Sequence, residues 1–105
     1  MVKHEILIYE HKYKRTLLNI GEISRFVGLH PDMIQRFYLL GLIDPYIKRP
    51  KLLFEDSVLS RIGLILRLRN DLGINLSSCG LVIDLLERVS ELEKRVHYYE
   101  TKYDR

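Results

Sequence analysis

LNIGEISRFVGLHPDMIQRFYLLGLIDP, residues 18–45, decides the fold of this chain. Asn19 can cap a short helix, because its side-chain oxygen can take one of the free N–H groups at the helix start, and Gly28 supplies the left-handed conformation that ends it. His30-Pro31-Asp32 opens a second helix: Pro31 suits the first helical position, which needs no N–H, and Asp32 sets a carboxylate against the positive end of the helix dipole. Gly41 closes that helix. Two short helices joined by a tight turn at Gly28 and Leu29 make a helix-turn-helix, with Ile20, Ile23, Phe26, Val27, Leu29, Ile34, Phe37 and Leu40 available for a shared core.

Outward from this motif, Glu5 to Tyr9 (EILIY) reads as an edge strand, and the KYKR that ends at Arg15 as a solvated linker or a phosphate contact. Downstream, Tyr46-Ile47-Lys48 and Lys51-Leu52-Leu53-Phe54 predict two short strands around a basic turn, a wing. Lys48, Arg49 and Lys51 there could touch backbone phosphates, or could protect a soluble hairpin tip. Asp56 or Ser57 caps a third helix to Leu72, with Val58, Leu59, Ile62, Ile65, Leu66 and Leu72 as its buried set and Gly73 as its stop. Arg67 and Arg69 point to different faces, and at least one is expected to pair with a nearby acid.

From Asn75 a fourth helix can run nearly to the end. Val82, Leu85, Val89, Leu92, Val96, Tyr99 and Tyr103 follow one another at alternating steps of three and four, a heptad seam that calls for a partner helix. Its first two turns, with Val82 and Leu85, are expected to pack on the chain's own body, and the rest on a second copy. Arg88 and Arg95 fall at g and Glu93 and Glu100 at e, so a parallel pair would match each Arg with a Glu of the other chain. The resulting division is a body over residues 1–74 and a dimerisation helix over 75–105.

Composition narrows the function. At 105 residues, with 47% hydrophobic and 30% charged, the chain fits one domain and an extension. No apolar run approaches the roughly 20 residues of a membrane span, and MVKHEILIYEHK lacks the apolar core of a signal peptide, so a cytoplasmic location without membrane contact is expected. Cys79 is the sole cysteine and His4, His11, His30 and His97 are scattered, so no metal set and no cofactor site is read. An enzyme would need a nucleophile with its base, paired carboxylates or a phosphate-cradling loop, and none stands at a recognisable spacing.

The net charge is +3 and unevenly spread: +2 over the first fifteen residues, +3 from Lys48, Arg49 and Lys51, and −1 from Asp32 to Asp44. The second helix therefore carries only Gln35 and Arg36 for a DNA groove, where several such side chains are normal, and Asp32 would face phosphates repulsively. Its outward face, Asp32, Gln35, Arg36 and Leu39, mixes an acid, an amide, an arginine and a leucine, as a protein contact does. The tripeptide His30-Pro31-Asp32 is also the signature of J-domains, but there it follows a lysine-rich helix. Here the preceding helix has only Glu22 and Arg25, and a helix start explains the same residues.

Ile20-Gly21-Glu22, Gly28, Ile34 and Gly41-Leu42-Ile43 resemble the core and turn residues of the MerR-type winged helix-turn-helix. Leu53-Phe54-Glu55-Asp56 and Arg67-Leu68-Arg69-Asn70-Asp71-Leu72 resemble the chaperone-modulator (CbpM-like) branch, and the likeness spans Leu18 to Val96. It implies a mostly α fold: a MerR-like winged helix-turn-helix with a small β-hairpin wing and a long C-terminal coiled-coil-type helix. It also implies a homodimer that binds the J-domain of a DnaJ-type co-chaperone and restrains its action with Hsp70. J-domains present a basic helix, which Asp32, with Glu55 and Asp56 if close by, could meet. The other reading is a MerR-type DNA-binding regulator using Arg36, Lys48, Arg49 and Lys51, although Gln35-Arg36-Phe37-Tyr38 departs from the basic-aromatic-aromatic-acidic run of DNA-binding members. MerR-type proteins pair antiparallel, against the preference of the charges, so the direction of pairing stays open.

Overall fold

The computed structural model describes residues 16–103; the segments of residues 5–9 and 12–15 lie outside them. In chain order the elements are β1 (Leu17–Leu18), α1 (Ile20–Val27), α2 (Pro31–Leu39), β2 (Phe54–Glu55), α3 (Val58–Leu72) and α4 (Leu76–Tyr103).

The two helices of the motif begin and end on local chemistry. Asn19 and Glu22 form a reciprocal capping box: the Glu22 N–H donates to Asn19 Oδ1 at 2.8 Å and the Asn19 N–H to Glu22 Oε1 at 3.0 Å. Gly28 follows at φ 72°, and the Ser24 hydroxyl donates to the Leu29 carbonyl across the turn. His30 caps α2 by accepting the Asp32 N–H on Nδ1 at 3.0 Å, with Pro31 in the first turn. At the far end the Leu42 N–H returns to the Phe37 carbonyl and the Gly41 N–H to that of Tyr38, at 2.9 and 3.0 Å, a Schellman closure that the Gly41 φ of 74° allows.

The wing differs from a regular hairpin. Ile47 and Leu53 form a single antiparallel bridge around the Lys48–Lys51 turn, which contains a cis Arg49–Pro50 bond. Phe54–Glu55 pairs instead with the chain before α1, Leu18 opposite Phe54 and Leu17 opposite Glu55. Burial explains the choice: Phe54 and Leu18 are both in the core, and this pairing brings them together under α2. Tyr38 of α2 meets Phe54 edge to face, centroids 6.3 Å apart, and ties the recognition-type helix to this sheet.

The core gathers Leu18, Ile23, Ile34, Phe37, Leu42, Ile43, Phe54, Ile62 and Ile65 from every element before α4, and Leu76, Cys79 and Ile83 from its first turns. Several expectations are corrected. Phe26 and Leu40 lie outside the core, because the buried stripe of α1 runs through Ile20, Ile23, Ser24 and Val27 and Leu40 sits where α2 has already turned. On α3 the buried set is Val58, Ile62, Ile65 and Leu68, while Leu72 is exposed. The chain reverses at Gly73, with the Ile74 N–H back on the Leu68 carbonyl at 3.0 Å, so the last turn of α3 projects past the layer that α4 completes. Ser57 precedes α3 with no side-chain cap, and neither Arg67 nor Arg69 forms an ion pair among the described residues.

Helix α4 starts where Asn75 Oδ1 accepts the Ser78 N–H at 2.9 Å. Its 28 residues extend about 42 Å at the usual rise, far beyond the body it starts on. Gly80 allows the close crossing: a Cβ there would stand 3.3 Å from Leu42 Cδ2. Arg61 of α3 adds a polar clamp, donating from Nε to the Leu42 carbonyl and from Nη1 to Glu87 of α4 at 3.0 Å.

Candidate protein-interaction surfaces

The outward face of α2 is a product of its periodicity. Ile34 and Phe37 are fully buried, and Asp32, Gln35, Arg36 and Leu39 stand together on the opposite, exposed side. Leu39 is 71% exposed, an apolar side chain with no cover. Asp32 Oδ2 lies 3.6 Å from the capping His30 Nδ1, with 94% of its side chain open to solvent, so its charge is available to a partner. Arg36 is the one cation of this helix.

On α1 the sequence reading missed Phe26. It is 69% exposed and lines a shallow pocket with Glu22 and Arg25. The signal was present: once Ile20, Ile23 and Val27 define the buried stripe, position 26 falls off it with 22 and 25.

The wing presents Lys48, Arg49 and Lys51, all exposed. Beside it Asp44, Glu55, Ser57, Val58 and Arg61 share a pocket of about 160 Å³, and Asp32 is not among its walls. Among the described residues no helix is long and apolar enough to cross a membrane.

Most of the exposed large apolar side chains of the described residues lie on the long helix. Val82 is partly buried against the body, whereas Leu85, Val89, Leu92, Val96 and Tyr99 are about half exposed. The expectation that Leu85 packs on the chain's own body is corrected. Leu76, Cys79 and Ile83 make that contact, on a different side of the helix, and the seam is left free one turn earlier than periodicity alone suggested. The backbone of Tyr103 lies in the last turn of α4.

With this geometry in place, comparison with known proteins is decisive about ancestry. Residues 18–100 match the family described as MerR HTH family regulatory protein. The chaperone modulatory protein CbpM of Coxiella burnetii strain Dugway 5J108-111 is 30% identical over 84 residues, covering 79% of each chain. The same protein of strain RSA 331 / Henzerling II matches equally, at 30% over 84 residues and 79% of each chain. The chain belongs to the MerR family, in its CbpM-like branch.

The matched region takes in α1, α2, the wing, α3 and most of α4, so the MerR-type body and the long helix come as one inherited unit. Within this CbpM-like chain the α2 face and the α4 stripe are separate surfaces. The first is polar with one apolar residue, the second mainly apolar with charged edges.

Proposed function

We propose that this chain is a non-enzymatic chaperone modulator of the cytoplasm. It binds the J-domain of a DnaJ-type co-chaperone and restrains that protein's action with Hsp70. The observation that carries the reading is the face of α2: exposed, cation-poor, with Asp32 and an uncovered Leu39, in a chain similar to chaperone modulatory proteins. A groove-reading helix needs donors and positive charge on this side. A J-domain's basic helix would instead meet Asp32, with Leu39 as the apolar anchor and Gln35 and Arg36 as flanking polar contacts. The active form is a homodimer joined along Val82, Leu85, Val89, Leu92, Val96, Tyr99 and Tyr103 of α4. The two α2 faces are then presented together.

The test is titration of a purified J-domain into isotopically labelled protein, read residue by residue by NMR. Shifts centred on Asp32, Gln35, Arg36 and Leu39 are expected. Shifts confined to α4, with these four unmoved, would remove the α2 site.

One observation favours a second reading, that of a MerR-type DNA-binding transcriptional regulator. The wing holds Lys48, Arg49 and Lys51 exposed in a row, within a family described as regulatory. With Arg36 they could supply phosphate contacts.

A further inference from the structure

Phe26 is the one large apolar side chain of α1 that the body leaves open. Its ring is 69% exposed and lines a shallow pocket of about 270 Å³ with Glu22 and Arg25, while Ile20, Ile23 and Val27 face the core from the other side. The two charged neighbours differ. Glu22 is committed to the capping box, its Oε1 accepting the Asn19 N–H at 3.0 Å. Arg25 forms no ion pair among the described residues. The pocket therefore presents an aromatic face with a guanidinium beside it, a surface for an apolar segment that carries a carboxylate.

The chain holds such a segment a short way before α1. Residues 5–10 read Glu-Ile-Leu-Ile-Tyr-Glu, four large apolar side chains between two acids. The distances fit. The Thr16 carbonyl accepts the Asp56 N–H at 3.0 Å, and β1 leads from there directly into the cap of α1 at Asn19. Phe26 lies about 10 Å further along the helix, at 1.5 Å per residue. Thr16 to Asn19 adds at most about 11 Å, so Thr16 and Phe26 are no more than about 21 Å apart. The chain from Tyr9 to Thr16 spans up to about 25 Å when extended, enough to bring the apolar run back to the ring. A tether this short holds the segment at an effective concentration near the millimolar range, which a free partner has to exceed to take the same pocket.

We propose that residues 6–9 lie over Phe26 of their own chain, with a flanking carboxylate, from Glu5 and Glu10, against Arg25. In an extended segment Ile6 and Ile8 fall on one side and Leu7 and Tyr9 on the other, so either side brings two apolar side chains to the ring. The consequence concerns recognition. Phe26 is then withdrawn from outside partners, and the first helix of the motif has no open apolar residue, while the face of α2 with Leu39 stays accessible.

Nuclear Overhauser spectra of the full-length chain test this. Contacts from the Phe26 ring protons to the side chains of residues 6–9 are expected. Phe26→Ser, a change at an exposed position that leaves the core intact, should shift the amide signals of residues 5–10 while those of α2 and α3 stay in place. An equimolar mixture of isotopically labelled and unlabelled chains identifies the source of the contacts. Isotope-filtered contacts that cross between copies would assign the pocket to the segment of a second chain and overturn the proposal. So would a Phe26 ring with no contact to residues 6–9, or signals of residues 5–10 that Phe26→Ser leaves unmoved.

Discussion

Arg61 and Glu87, twenty-six residues apart in the chain, meet at 3.0 Å between Nη1 and Oε1, and the same guanidinium donates from Nε to the Leu42 carbonyl. One side chain therefore ties the loop after α2, the helix α3 and the long helix α4 into a fixed angle. The two bonds are not equal. Glu87 is 65% exposed on its side chain and Arg61 only 27%, so water competes for the ion pair far more than for the bond to the carbonyl.

Replacing each partner separates the contributions. Glu87→Ala is expected to cost less than about 1 kcal/mol, as exposed ion pairs do. Arg61→Ala removes the bond to Leu42 as well and should cost about 1–2 kcal/mol more. Urea midpoints of the two variants check this; equal losses would mean that the carbonyl bond contributes nothing.

Glycine to alanine should act in opposite directions at two positions. Gly28 has φ 72° and open space where a Cβ would go, so Gly28→Ala is purely a backbone penalty, about 1–2 kcal/mol of destabilisation. Gly63 lies inside α3 with its nearest neighbour, Arg67 Nη1, 3.8 Å from a built Cβ. There alanine should stabilise by up to about 1 kcal/mol through helix propensity. Thermal melts of both variants read the signs directly.

The uncovered stripe of α4 predicts concentration-dependent assembly. Leu92→Asp with Val96→Asp places two carboxylates in the seam and should leave monomer by light scattering, while amide spectra of α1 to α3 stay native. A wild-type protein already monomeric at micromolar concentration would contradict the dimer.

The wing supplies the test of the regulator reading. Changing Lys48, Arg49 and Lys51 to Ala would remove up to three phosphate contacts, and each contact changes the log–log salt slope of DNA binding by about 0.9. A chaperone modulator has no such slope to lose. Sequence-specific DNA binding tighter than micromolar at physiological salt would reverse the order of the two readings.

Much of the fold was legible from residues whose preference is local. Asn19, Gly28, Pro31 and Asp32, Gly41, Gly73 and Asn75 each act through their own backbone or one a few residues away, so both ends of α1 and α2, the stop of α3 and the start of α4 could be read off the chain, while the start of α3 has no side-chain cap to mark it. The α2 face was legible for the same reason, since periodicity alone separates Ile34 and Phe37 from Asp32, Gln35, Arg36 and Leu39.

What the sequence determined by itself was therefore the order, type and ends of the helices, the polar face of α2 and the heptad of α4, all set by interactions within a few turns of chain. Only the tertiary structure decided which neighbours those elements share. Phe54 chose Leu18 over the wing because both bury in one core, Leu68 replaced Leu72 because the chain turns back at Gly73, and Ile83 replaced Leu85 because the body grips α4 from a side that the heptad does not mark. Burial depends on what packs from far along the sequence, and a pattern of apolar spacing names the side chains that want cover without saying which surface covers them.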